Sequence, residues 1–195
     1  HKASIDKLSN NFDEIKKNCQ NNKCVGVGEA GLDYYYEFSS KKDQKKSFQT
    51  QINVSQSLNL PIVVHSRNAD KDMQELLVSN YSEKLFEGVL HCFTGGKQLA
   101  KSALDIGFYI SFSGIVTFKN SHELHEIASY VPDDRYLVET DSPFLSPVPF
   151  RGKTNEPKNT YFIAECISKL RNTTLQKVAY ETRKNTLNLF KKMRP

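Results

Sequence analysis

Four residues of this sequence carry side chains that bind divalent cations, at positions from which one fold can aim them at one point: Glu29, His65, His91 and Asp141. Each follows a short apolar run. Val25-Gly26-Val27-Gly28 leads into Glu29, Ile62-Val63-Val64 into His65, Val89-Leu90 into His91, and Leu137-Val138-Glu139-Thr140 into Asp141. Runs of this kind read as strands buried on both faces. A lone histidine after a strand is usually a satisfied core or loop residue. Four ligand-type residues at four strand ends are harder to obtain by accident: burying them unpaired is expensive, and a dication removes that cost. Period-2 alternation puts Val27, Val63 and Val89 on the inward face with Glu29, His65 and His91. It turns Cys92 away, which excludes that thiol as a ligand.

Such a centre suits hydrolysis. A divalent ion can lower the pKa of its water from about 15.7 toward about 7, and two ions about 3.5–4 Å apart can stabilise both attacking and leaving oxygens. Asp141 is placed to orient the water or take its proton. Glu139, two residues earlier on the same face, supports the site from behind. Nitrogen and oxygen ligands without cysteine suit Mg²⁺, Mn²⁺ or Zn²⁺. Arg67, Arg151 and Lys153 lie just beyond strand ends, where they are either surface charges or a grip on phosphate oxygens. Asp33 and Tyr34 to Tyr36 follow Glu29 in a Gly-rich turn, and these rings either stack bases or pack against the protein. Ser121-His122-Glu123-Leu124-His125-Glu126 superficially suggests a zincin, but its spacing is HExH rather than HExxH. His122 and His125 therefore read as exposed helix residues. No Walker A loop, GxGxxG loop or strained nucleophile elbow is present.

The elements that must position these groups alternate. Strands are expected over Cys24–Gly28, Pro61–Val64, Gly88–Leu90, Phe108–Ser113 and Arg135–Glu139. Between them run helical stripes. One joins Phe48, Ile52 and Ser55 to Leu58; a second joins Leu99, Ala103 and Leu104. A third (Leu124, Ile127, Ala128) is opened by a cap at Asn120 with Glu123 three residues on. Leu8, Phe12, Ile15 and Cys19 predict a helix before the first strand. Ile163, Ile167, Leu170, Leu187 and Phe190 predict helices after the Pro-rich loop of Pro143, Pro147 and Pro149. This β-α order, with strand-to-strand steps of roughly 25 to 35 residues, predicts a parallel sheet with right-handed crossovers.

The composition sets outer bounds. A chain of 195 residues, 38% apolar and 25% charged, reads as one domain over residues 1–195. Its longest apolar runs are far too short to span a bilayer, and no secretory leader pattern opens it. Four cysteines without CxxC pairing read as reduced thiols of a cytoplasmic protein. The net charge of +5 suits a polyanionic partner without requiring one, since Lys41, Lys42, Lys45 and Lys46 also read as a solvated helix face.

Taken in order, Gly28-Glu-Ala-Gly-Leu-Asp-Tyr34, His65-Ser-Arg67, His91-Cys-Phe-Thr-Gly95 and Glu139-Thr-Asp-Ser-Pro143 resemble the TatD family of metal-dependent deoxyribonucleases. Pro147-Val-Pro-Phe-Arg-Gly-Lys-Thr-Asn-Glu-Pro157 resembles the family's loop after the last strand. The resemblance covers essentially the whole chain. It implies an α/β fold, a TIM-like (β/α) barrel of the amidohydrolase type, and phosphodiester hydrolysis of DNA with Mg²⁺ or Mn²⁺. It further implies that Glu29 bridges two metals, with His65 and His91 on one and Asp141 on the other.

The family opens with an HxH motif on its first strand, and no such segment stands here. Against a barrel of about 250 residues, roughly 60 are unaccounted for, so five parallel strands of an incomplete barrel are expected. Two sheet edges and apolar interior side chains would then need a cover, either a homodimer or a retained N-terminal fragment. At most one well-occupied metal and little nuclease activity are expected of these residues alone. Rival readings are an esterase or amidohydrolase with the same metal core, such as an aminoacyl-tRNA deacylase, a non-enzymatic nucleic-acid binder, and an inactive fragment.

Overall fold

A computed structural model describes residues 11–36 and 38–193. Five strands run in the order β1 (Val27–Asp33), β2 (Ile62–Arg67), β3 (Gly88–Leu90), β4 (Tyr109–Phe112) and β5 (Tyr136–Val138). All four neighbouring pairs are parallel, in sequence order, as the alternation of elements predicts. Helix α1 (Asn11–Cys19) precedes β1; α2 (Lys41–Leu58), α3 (Asp70–Glu83), α4 (Lys97–Asp105) and α5 (His122–Tyr130) fill the four crossovers; α6 (Thr160–Leu170) and α7 (Leu175–Leu189) follow β5. The sheet does not close: among the described residues β1 and β5 are its edges.

One face of the sheet is packed by helices. Ile62, Val64, Leu90, Ile110, Phe112 and Tyr136 are buried with Phe48, Ile52, Met73, Leu99, Ile127, Ile163 and Val178 in the main core. The opposite face divides lengthwise. Its lower half is apolar, with Val89, Tyr109 and Leu137 buried against Leu189, and Val63 and Phe190 packed alongside. Here the end of α7 shields interior side chains that an open barrel would otherwise expose. Its upper half is polar and carries the site.

Several boundaries differ from the sequence expectation, and each difference has a local cause. The first strand begins at Val27 and runs on through Glu29 to Asp33, rather than ending at Gly28. Its register against β2 shifts between Val27 and Ala30. An extra residue there breaks the period of two. Val27 consequently packs with Cys19, Val54 and Leu60 on the helical side, out of phase with Glu29. The second strand likewise continues past His65 to Arg67. The cap expected at Asn120 is absent: α5 starts at His122, and the Ser121 hydroxyl donates to Ile115 O instead. Glu123 accepts from the Lys97 amide at the start of α4 rather than closing a capping box. His125 is half-buried, with Nε2 2.8 Å from Val116 O, so only His122 of that pair is an exposed helix residue. Of the N-terminal stripe, Leu8 lies outside the described residues.

At the closing end, Arg171 fastens three elements with one side chain. Its guanidinium donates to Ala128 O at 2.8 Å and Val131 O at 2.7 Å, carbonyls that α5 leaves open at its C-terminus. It also pairs with Asp133 and lies 4.6 Å from the Tyr136 ring centroid on β5. Removing it strands two carbonyls that water reaches poorly. Arg171→Ala should lower the unfolding free energy by about 2–3 kcal/mol, read as a lower urea midpoint at unchanged slope. A midpoint equal to that of the parent would show that the contacts contribute nothing net.

Candidate metal centre

Because all five strands are parallel, their carboxyl ends share one edge of the sheet, where functional groups of α/β folds collect. Glu29 sits in β1 inside the register shift between Val27 and Ala30, and its carboxylate meets the histidines of β2 and of the segment after β3. Glycine is required two residues on: a Cβ at Gly31 would fall 2.0 Å from His65 O. That close approach draws β1 against the segment of β2 that carries His65.

The result is a triad. Glu29 Oε1 lies 3.0 Å from His65 Nδ1 and 2.8 Å from His91 Nε2, and the three residues offer ligand atoms all within 4.8 Å of one another. Each imidazole is held from behind by a second carboxylate. His65 Nε2 lies 2.9 Å from Asp33 Oδ2, and His91 Nδ1 lies 3.4 Å from Glu139 Oε2. Glu139 is fixed in turn by the Cys92 amide, which donates to its Oε1 at 2.6 Å. Asp33 is 3% exposed and is locked through its backbone by the Gln44 amide, which accepts from Asp33 N and donates to Asp33 O. Carboxylate–histidine pairs of this kind fix the imidazole's tautomer and orientation at a metal site.

The electrostatics follow from the crowding. Hydrogen bonds from His65 and His91 pull the Glu29 carboxyl well below the usual carboxylate range, against the effect of burial. Burial disfavours the His91 imidazolium, yet Glu139 and Glu29 outweigh it and push the group up to about 10. Burial also opposes charge on Glu139, but His91 and hydrogen bonds from Ser111 and the Cys92 amide hold it below its ordinary value. At Asp141 burial dominates, and with the neighbouring charges of Glu139 and Glu29 it raises the carboxyl despite His91.

The donor set fits a divalent cation. Glu29, Asp33, Glu139 and Asp141 bring four carboxylates to two imidazoles, so two negative charges remain even with both imidazoles protonated. One oxygen and two nitrogens face a common point, and the nitrogens facing away already have partners. The structure thus groups three of the four expected ligands, Glu29, His65 and His91; Asp141 is not among the grouped donor atoms, although the charges of His91, Glu139, Glu29 and His65 act on its carboxyl. Cys92 is turned away as expected; its Sγ is 3.0 Å from Ser113 Oγ, and burial pushes the thiol up to about 12.

The three basic candidates stand differently. The Arg67 guanidinium lies 3.9 Å from the Tyr35 ring centroid, half-buried. Arg151 and Lys153 are exposed on the loop after β5, near the rings of Phe118 and Phe150 respectively. Sequence reasoning had not given Asp33 or Gln44 a place at the site. The available signal was spacing: Asp33 is four residues from Glu29 in an extended run and so shares its face.

A family model described as "TatD related DNase" matches residues 1–191. The chain belongs to that family. Bacillus subtilis YabD, named an uncharacterized metal-dependent hydrolase, is 40% identical over 188 residues, covering 96% of this chain and 73% of YabD. A Salmonella typhimurium protein named "3'-5' ssDNA/RNA exonuclease TatD" is 34% identical over 171 residues, covering 85% of this chain and 65% of its own length. The crystal structure of the TatD homologue YJJV from Escherichia coli superposes with a TM-score of 0.85 at 24% identity, covering 92% of this chain and 70% of that one. The fold is therefore the TatD α/β fold, and the chain is a member of a family of metal-dependent hydrolases.

Because Asp33 and Glu139 orient the imidazoles, removing either should weaken cation binding while leaving all three facing donors in place. Asp33→Ala and Glu139→Ala should each cost about 10–100-fold in Mn²⁺ affinity, measured by calorimetric titration, with Glu29→Ala costing more. Affinity should also rise with pH through the neutral range, because a proton must leave His91 before its nitrogen can ligate. Equal affinities in the parent and both carboxylate variants would remove them from the centre.

Proposed function

We propose that this protein hydrolyses phosphodiester bonds of DNA, using Mg²⁺ or Mn²⁺ held by Glu29, His65 and His91, with Asp141 completing the centre. The observation that carries this reading is the shared Glu29 oxygen between two imidazoles, each backed by its own carboxylate. The name of the Salmonella relative supports the choice of nucleic acid over other esters. A divalent cation at this position supplies Lewis acidity toward a phosphoryl oxygen and makes water more acidic.

The chain's own residues do the rest. His65 and His91 would hold the cation through their inner nitrogens, His91 after giving up its proton, while Asp33 and Glu139 keep the outer nitrogens occupied. The Asp141 carboxylate takes the proton of the attacking water, a role helped by its raised proton affinity. Arg151 and Lys153 on the loop after β5 meet the phosphate backbone of the substrate. A homodimer or a retained N-terminal fragment covers the open sheet edges in this reading.

The test is cleavage of a single-stranded oligonucleotide by the purified protein. Cleavage should require Mg²⁺ or Mn²⁺ and stop with EDTA. Asp141→Ala should lower kcat by on the order of 10²–10⁴-fold, with a smaller effect on DNA binding. Cleavage that persists in EDTA, or turnover of an aminoacyl ester in place of DNA, would overturn the reading.

A further inference from the structure

The turn after β1 exposes three aromatic side chains beside the metal centre. Tyr35 is 56%, Tyr36 52% and Phe38 60% exposed. Large rings rarely stay in water without a use when they form a contiguous patch. These are also ordered relative to one another. Tyr35 and Tyr36 meet edge to face at 4.9 Å, and Tyr36 and Phe38 stack at 5.4 Å with planes 15° apart. The Arg67 guanidinium carbon lies 3.9 Å and 4.9 Å from the centroids of Tyr35 and Tyr36. Tyr34 behaves differently: it is half-buried, its hydroxyl donates to Asp72 at 2.6 Å, and it packs against the main core. The structure thus separates a structural tyrosine from two presented to solvent.

This patch is tied to the metal centre through one carboxylate. Asp33 Oδ1 accepts from the Tyr35 and Tyr36 amides at 3.0 and 3.1 Å, and Asp33 Oδ2 lies 2.9 Å from His65 Nε2. Arg67 ends β2 two residues after His65 and is in register with Asp33. The rings and a metal-facing imidazole therefore hang from the same pair of strand ends, so the position of one fixes the position of the other.

We propose that Tyr35, Tyr36 and Arg67 form a stacking subsite for an unpaired nucleobase of a single-stranded nucleic acid whose phosphodiester lies at the metal centre. The proposal rests on the nuclease reading above. Aromatic rings and a guanidinium plane accept any base, because every base has a π face, and they offer little to a duplex whose faces are already stacked. The subsite therefore selects for strandedness rather than sequence. Arg67 serves twice here, as a flat cation beside the rings and as a positive charge near a polyanion.

The test uses the complete gene product with Mn²⁺ and a single-stranded deoxyoligonucleotide. The oligonucleotide carries 2-aminopurine as its 3′-terminal base and a methylphosphonate last linkage that resists hydrolysis. Binding should quench the 2-aminopurine fluorescence, and replacing that base by an abasic unit should weaken binding roughly 5- to 150-fold. Tyr36→Ala should lose both the quenching and the base-over-abasic preference, and Tyr36→Trp should restore them. If Tyr36→Ala and Tyr35→Ala keep both, the subsite is overturned, even where a normal oligonucleotide is still cleaved and the nuclease reading stands. If nothing is cleaved yet quenching depends on Tyr36, the subsite stands and the nuclease reading fails.

Discussion

A single carboxylate oxygen organises this end of the molecule. Glu29 Oε1 lies within 3.0 Å of a nitrogen on each of two histidines, His65 of β2 and His91 just after β3. His65 and His91 are partly buried while the Glu29 side chain is 41% exposed, so it is the imidazoles whose outer nitrogens need protein partners. That requirement explains the residues around them. Asp33 and Glu139 occupy the outer nitrogens, the Cys92 amide and Ser111 restrain Glu139, and Gln44 restrains Asp33. Gly31 has no Cβ because the β1–β2 approach that delivers His65 to Glu29 leaves no room for one.

The two halves of the same sheet face obey different physics. Toward the amino ends of the strands the face is apolar, and Leu189 buries it with Val89, Tyr109 and Leu137. Toward the carboxyl ends it is charged and linked by hydrogen bonds. The division follows from alternation in parallel strands: Val63 and His65, Val89 and His91, and Leu137 and Glu139 are successive residues on one side. Each pair places an apolar support directly beneath a functional group. The support limits how far the side chain above can drift, which matters when donor atoms must stay within a few tenths of an ångström.

Much of this was legible in the sequence because periodicity is a strong signal. The number, order and direction of the strands follow from apolar runs such as Ile62–Val64 alternating with helical stripes. Both histidines and Glu29 stand out because such residues are costly on a buried face. What was not legible depends on exceptions to periodicity. The register shift after Val27 cannot be read from alternation, since it is the point where alternation fails; Val27 was therefore assigned to the wrong face. Asn120 and Glu123 form a correctly spaced capping pair, but tertiary partners at Ile115 and Lys97 took over their surroundings. The pairing of Asp33 with His65 spans 32 residues, and no local pattern reports a contact of that range.

The charge distribution constrains how a polyanion can be held. The chain carries +5 overall, yet the centre itself has an excess of carboxylates, so its own residues repel a phosphodiester. Attraction must then come from outside the triad. On the proposed reading, part of it would be long-range and fall with salt, from exposed residues such as Arg151 and Lys153. The remainder would be short-range and insensitive to salt, the kind of contact the exposed Tyr35 and Tyr36 rings offer under the stacking proposal. Tyr35 and Tyr36 lie on the opposite flank of the sheet from the loop that bears Arg151, with β1 and β5 as the two edges. A strand gripped electrostatically on the β5 side and by stacking on the β1 side would cross the carboxyl ends of β2, β3 and β4. That path takes its backbone over His65 and His91, where the geometry places the only concerted set of cation ligands found among the described residues.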